Sequence, residues 1–328
     1  MKAMIATTDW SLVAKALGDA KGIVLVTHKN PDSDGIGSQI ALFHALKAIG
    51  KKVWIHNLHP VPRICRYLDG AEKAGMGEVF VHLGAVDTIV SLDCGAKSRL
   101  GMPDSFFEGK TLINIDHHAS NNGFGQVNVV NATYCATGAM VFDLLLSLGI
   151  ALTPAMAAAI YVALLTDTAS FRLSTVTADV FHLAAALVEA GAEPAVASKA
   201  VYGSNSHERL KLLKMSLDTL QLNDKNGSAW LHVTEDMYVS TAADTEDTEG
   251  FIDYGRAITG VKITVFIRPE YEGYWKVSFR GVNGIDVGKL ASELHGGGHR
   301  YAAGCTLAGT LAEVTEKVRP LVSSYLKN

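Results

Sequence analysis

Cysteine is scarce in this chain: four in 328 residues, at 65, 94, 135 and 305, with no Cys-x-x-Cys pair. Thiols so scattered exclude a disulfide framework and a thiolate zinc site, and they fit a reducing, cytoplasmic setting. A basic surplus is missing too. The net charge is −4 and the pI near 6.3, whereas a protein that tracks long nucleic acid carries an excess of cations. Any polyanion handled here is therefore expected to be short and held by a few local cations. Long apolar runs are also absent. Despite a mean hydropathy of +0.18, the longest run, Ala155 to Leu165 between Pro154 and Thr166-Asp167, falls short of the ~20 residues needed to span a bilayer. It reads as a buried core helix, and no membrane partner is expected. Met1-Lys2-Ala3-Met4-Ile5 leads quickly to Asp9 without the apolar segment of a signal peptide, so export is not expected.

What is present is ordinary globular material, 48% hydrophobic and 19% charged, long enough for two domains with separate cores. The first half alternates strand-like and helix-like segments. Strands are expected at Ile23 to Thr27, Val53 to Asn57, Thr88 to Leu92 and Leu112 to Ile115. Helices are expected at Gly35 to Ile49, Thr137 to Leu148, Pro154 to Thr166 and Ala178 to Ala190. Such alternation predicts an α/β domain, a parallel sheet with helices on both faces and a site beyond the carboxyl ends of its strands. Leu210, Leu213, Leu217 and Leu220 then predict a connecting helix. A smaller α/β domain follows, with strands Ala229 to Val233, Val261 to Arg268 and Tyr274 to Arg280, and helices at Asp286 to Leu294 and from Leu311. The domain expectation is 1–195, a helical linker 196–224, and 225–328.

Four segments place acids or imidazoles where buried elements run out: His28-x3-Asp32-x-Asp34, Asp93, Asp116-His117-His118, and Asp167. Such residues are poor core material and good metal ligands. His28 and Asp32 can converge on one ion through the extended backbone that Pro31 favours, and Asp34 can face a neighbouring ion. Taken singly, Asp32 and Asp34 read equally well as helix caps. Asp167, at the negative end of a helix, asks for a compensating cation. The triplet after Ile113-Asn114-Ile115 has no packing rationale. Carboxylates supplemented by imidazoles suit Mn²⁺ or Mg²⁺, there are enough ligands for two ions, and two ions suit phosphate ester hydrolysis. In the second domain, Gly296-Gly297-Gly298-His299 before Arg300 and Ala302-Ala303-Gly304 reads as a glycine bend that lets backbone N–H groups approach a phosphate. Arg280 is a candidate phosphate clamp through its bidentate donors; Arg99 and Arg172 are weaker candidates.

Together these residues resemble the DHH phosphoesterase superfamily, in the NrnA-like branch of oligoribonucleases and nucleotide phosphatases with a DHH-associated C-terminal domain. The matching motifs are His28-Asp32-Asp34, Asp93, Asp116-His117-His118 and Asp167, then Glu249-Gly250-Phe251, Ser278-Phe279-Arg280 and Gly296 to His299. The resemblance implies one ion on His28, Asp32 and Asp93, and another on Asp34, Asp93, His117 and Asp167, with Mn²⁺ favoured over Mg²⁺ or Co²⁺. It implies His118 beside the scissile phosphate, Asp116 orienting a histidine in the catalytic set, and Arg280, Gly297, Gly298, His299 and Arg99 gripping substrate. The implied substrate is short RNA, a linear dinucleotide or 3′-phosphoadenosine 5′-phosphate; a homodimer is open. A family II-like inorganic pyrophosphatase and a non-catalytic nucleotide sensor are the alternatives, the former lacking its basic motif here. His295 stands where many members carry a further glycine.

Overall fold

The computed structural model describes residues 8–75, 83–223, 227–282 and 284–327; the leader reading at Met1 to Ile5 lies outside them, as does the side chain of His299. The chain divides into two compact units, Met1–Ser204 and Asn205–Asn328.

The first unit runs α1 (Ser11–Asp19), β1 (Ile23–Val26), α2 (Ser33–Ala48), β2 (Val53–Ile55), β3 (Thr88–Leu92), β4 (Thr111–Asp116), β5 (Val127–Val130), α3 (Thr137–Ser147), α4 (Pro154–Asp167), α5 (Ala178–Glu189) and α6 (Pro194–Tyr202). Its five described strands pair in the order β2-β1-β3-β4-β5, all parallel. The continuous apolar run of β1 and the full burial of β3 have one cause: both faces of the sheet are covered. Ile23 and Leu25 of β1 join the larger core, which includes residues of α1 to α6. Val24 and Val26 join a second core with Leu100, Phe106 and Phe107, built on the short 3₁₀ helices Lys97–Leu100 and Asp104–Phe106. β5 and α1 were not expected from the sequence.

α2 and α4 are buried on nearly every side and pack tightly together. Small residues permit the approach. A Cβ on Gly37 would lie 2.3 Å from the Ala159 carbonyl oxygen, and at the contact of α3 with α4 one on Gly138 would lie 2.7 Å from the Ala163 methyl. Pro154 opens α4, where its missing N–H costs nothing, and Thr153 accepts a bond from the Met156 amide. No single helix among the described residues is long and apolar enough to cross a membrane; the one pair that passes by length and composition, α5 with α6, is bent by 108°.

The second unit runs α7 (His207–Asp218), β6 (Gln221–Asn223), β7 (Ser228–His232), α8 (Glu235–Thr241), α9 (Phe251–Arg256), β8 (Ile263–Tyr271), β9 (Tyr274–Gly281), α10 (Val287–Glu293), β10 (Gly297–His299), β11 (Ala302–Ala308) and α11 (Leu311–Tyr325). Its sheet order is β10-β11-β9-β8-β7-β6, with β7 and β8 parallel and the other pairs antiparallel. Alternation along the strands splits the core. Val265, Ile267, Val277 and Phe279 pack with Leu290 and Val318, whereas Leu231 and Phe266 pack with Leu212, Leu213 and Phe251. The span 196–224 is shared between the two units, which divide at Ser204 and Asn205. Within it, Ala197 of α6 packs into the first core and α7 into the second unit, because both helices carry apolar stripes that need covering.

The glycine run differs from the expected bend: Gly297–His299 is a strand paired antiparallel with β11. A Cβ on Gly296 would lie 2.2 Å from the Gly304 carbonyl oxygen, and one on Gly298 2.6 Å from that of Ala302, while Gly297 has open space beside it. His295, at φ 58°, occupies a left-handed conformation that glycine adopts freely.

Gly37→Val is expected to force α2 from α4 and to destabilise the fold by about 1–3 kcal/mol or more, the usual result of overpacking. Urea unfolding monitored by circular dichroism measures it; an unchanged midpoint would remove the close helix contact from the account.

Candidate metal centre

The carboxyl ends of the parallel strands set out the site from the backbone upward. His28 follows β1, Asp93 follows β3, and Asp116 ends β4 with His117 and His118 beyond it. Asp32 caps α2, its Oδ1 accepting from the amides of Asp34 and Gly35 at 3.1 Å each. Asp34 lies in the first turn of α2, and Asp167 is the last residue of α4. Asp93 takes φ 55°, a left-handed turn that aspartate tolerates better than most residues.

Two groups of donors result, and Asp93 belongs to both. His28 Nε2 lies 3.6 Å from Asp32 Oδ2 and 3.7 Å from Asp93 Oδ2. His117 Nε2 lies 3.6 Å from Asp34 Oδ2, 3.6 Å from Asp93 Oδ1 and 3.4 Å from Asp167 Oδ2. These separations are long for hydrogen bonds. They suit ligands sharing an ion, since two donors each about 2.1 Å from a small divalent cation stand about 3–3.5 Å apart. Both imidazoles are oriented for the task. His28 Nδ1 donates to the Lys29 carbonyl at 2.9 Å, and His117 Nδ1 to the Tyr134 carbonyl at 3.2 Å. That leaves each Nε2 as the acceptor nitrogen, with its ring fixed. The oxygen and imidazole set fits a hard divalent cation.

His118 behaves differently. Its Nδ1 donates to Asp116 Oδ1 at 2.7 Å, so the nitrogen 3.6 Å from Asp93 Oδ1 is already committed. Asp116 is fully buried, and its Oδ2 accepts from Asn121 Nδ2 at 2.6 Å. It holds His118 in place and does not itself reach solvent.

Residues 22–164 match the model of the DHH family, N-terminal domain, and residues 235–328 that of the DHHA1 domain. The protein named bifunctional oligoribonuclease and PAP phosphatase NrnA of Thermus thermophilus is 35% identical over 320 residues, covering 96% of this chain and 94% of its own. The chain belongs to the DHH family. Among solved structures, an exopolyphosphatase-related protein from Bacteroides fragilis matches it with a TM-score of 0.90 at 25% identity, over 99% of this chain and 100% of that one. RecJ from Thermus thermophilus, in complex with Mn²⁺, shares the fold at a TM-score of 0.57 and 15% identity, over 97% of this chain and 54% of that one.

In this DHH chain several supporting groups escaped the sequence reading. The amides of Thr137 and Gly138, opening α3, donate to Asp34 at 2.7 and 2.8 Å, and Thr137 Oγ1 donates to Asp93 Oδ1 at 3.1 Å. Asn121 also reaches the Cys94 and Asn114 oxygens at 3.1 and 2.7 Å. Only the helix start at Thr137-Gly138 was legible; its partner was not. Ser38 donates to Asp34 Oδ1 at 3.4 Å, so its hydroxyl supports a carboxylate. Cys94 is buried, burial pushes its thiol up to about 12, and its Sγ donates to the Ala96 carbonyl at 3.2 Å.

Arg99 lies on the 3₁₀ helix after Asp93, where its carbonyl accepts from the Lys29 amide at 2.8 Å and its charge acts on His28. Arg280, Gly297, Gly298 and His299 belong to the second unit. There Arg280 lies opposite Ala302 on β11 and donates to the Phe279 carbonyl at 3.2 Å. Arg172 is exposed and its Nε donates to the Ala169 carbonyl at 2.6 Å.

α4 stops abruptly after Asp167. Ala169, Ser170 and Phe171 all take positive φ, at 48°, 63° and 60°. Each such residue with a side chain costs on the order of 1–2 kcal/mol. The turn is closed by the Ser170 amide on the Leu165 carbonyl at 2.7 Å, by the Phe171 amide on Thr168 Oγ1 at 3.0 Å, and by a pairing of the Ser170 and Tyr202 hydroxyls.

Without an ion the acids repel. Burial, then Asp93 and Asp167, hold Asp34 well above the usual carboxylate range. Burial also raises Asp93, and it raises Asp167 to about 6, against the pull of His117. Burial opposes the charged form of His117, yet Asp167, Asp34 and Asp93 raise it to about 9. A carboxylate raised on folding contributes its stability below its unfolded value near 3.8 and loses it as pH rises through about 6. His117 contributes fully below 6.5 and loses its share as pH rises through about 9. Both effects run in one direction. In EDTA the melting temperature is expected to fall between pH 5 and 9, and the rise conferred by MnCl₂ to grow across the same window. Thermal unfolding at both pH values with and without the ion measures this; an increment independent of pH would contradict it.

Proposed function

We propose that this DHH-family chain is a metal-dependent phosphoesterase that hydrolyses short oligoribonucleotides or linear dinucleotides to mononucleotides, and also removes phosphate from 3′-phosphoadenosine 5′-phosphate. The observation that carries the reading is Asp93, a buried carboxylate whose two oxygens address different imidazoles, Oδ2 toward His28 and Oδ1 toward His117. A shared carboxylate of this kind suits a two-ion centre. His28, Asp32 and Asp93 would hold one divalent ion; Asp34, Asp93, His117 and Asp167 would hold the other. Manganese is preferred, with magnesium or cobalt as substitutes. When bound, such ions neutralise phosphoryl oxygens and make hydroxide available at neutral pH.

The chain's own residues supply position and protons. Asp34 is pinned by two amides of α3 and Asp93 by the Thr137 hydroxyl, so neither carboxylate has to be reorganised when substrate arrives. His118, oriented by the bond from its Nδ1 to Asp116, is the imidazole assigned to hydrogen-bond the scissile phosphate or protonate the leaving oxygen. Arg99 suits a bidentate grip on a phosphate. Arg280, Gly297, Gly298 and His299 are the groups of the second unit assigned to the nucleotide. The preference for a short substrate is supported by the net charge of −4, and the substrate class by the Thermus thermophilus relative, a bifunctional oligoribonuclease and PAP phosphatase.

With Mn²⁺ present, pApA and 3′-phosphoadenosine 5′-phosphate are expected to be hydrolysed faster than a longer oligoribonucleotide or pyrophosphate. Asp93→Ala is expected to abolish turnover, His118→Ala to lower kcat by roughly 10²–10⁴-fold, and Asp116→Asn to lower activity by roughly 10–100-fold. Near-wild-type hydrolysis by Asp93→Ala, or a dominant pyrophosphatase activity, overturns the reading.

A further inference from the structure

One residue beyond Asp167, after Thr168, come three consecutive residues with side chains in left-handed backbone, Ala169, Ser170 and Phe171. A helix commonly ends on one such residue, usually glycine; a run of three without glycine persists only where its surroundings impose it. The surroundings here are specific. Thr168 Oγ1 donates to the Leu164 carbonyl at 2.7 Å while accepting from the Phe171 amide. The Phe171 ring stacks on Phe181 of α5, with centroids 5.3 Å apart and planes 21° from parallel. Phe181 is otherwise 56% exposed, a position where a large apolar ring has no core to fill.

We propose that the Phe171–Phe181 stack is a clamp that holds this strained turn and thereby positions the Asp167 carboxylate beside His117. Phe181 is a positioning residue, acting through Phe171 and the turn. The inference rests on the two-ion reading, because the quantity it governs is the affinity for the ion that Asp167 and His117 share. The His28 and Asp32 position lies on other elements and does not depend on the clamp.

The test is titration of metal-free protein with Mn²⁺, free ion being followed by electron paramagnetic resonance. Wild type is expected to take two ions. Phe181→Ala is expected to keep one affinity unchanged and weaken the other at least tenfold. Adding Ala169→Gly, which accepts positive φ without strain, is expected to restore much of the loss. Ala169→Gly alone is expected to raise the melting temperature and retain both ions, and it decides the matter should Phe181→Ala fail to fold. Two wild-type affinities in Phe181→Ala, or a lower melting temperature for Ala169→Gly, overturn the clamp and leave the two-ion reading standing. A wild-type protein that takes fewer than two ions overturns that reading, and the clamp with it.

Discussion

The fold depends on burying negative charge where helix ends converge. Asp34 and Asp93 are almost wholly inaccessible, and an isolated carboxylate in such a place is costly. Two things make it tolerable. Amides and a hydroxyl at the start of α3 satisfy the oxygens, and imidazoles stand within 4 Å. The remaining excess of acid is what a divalent cation neutralises. The glycines and alanines at the α2, α3 and α4 contacts follow from this: with larger residues the helix termini could not meet closely enough to share one carboxylate set.

Strain is concentrated in the same neighbourhood. Asp93 and Ala169 to Phe171 adopt left-handed backbone; the first is itself a proposed ligand, and the others follow the proposed ligand Asp167 closely. Elsewhere positive φ falls mostly on glycine, as in ordinary turns. The site is thus held by local structure that is unfavourable by itself and is kept in place by tertiary contacts.

Much of this was legible in the residues. The strands around Ile23, Thr88 and Leu112 announce themselves as short, largely apolar segments, and the acids after them have no packing role. The close pairing of α2 with α4 was hidden, since a helix buried on all sides carries no amphipathic stripe from which to read its partner. The glycine run of the second unit misleads for a related reason. Glycine serves both an open phosphate-binding bend and a strand pressed against a neighbour, and only the register with Ala302 and Gly304 distinguishes them.

The sequence by itself determined the chemistry: the kinds of ligand, the alternation that makes a parallel sheet, and the strand ends at which the ligands stand, all being consequences of short-range pattern and residue type. Tertiary structure alone decided that the histidine Asp116 serves is His118, that Thr137 reaches Asp93, and that α3 supplies the amides for Asp34. Those relations join residues as much as 104 positions apart. They depend on helix crossings and strand order, which local periodicity does not encode.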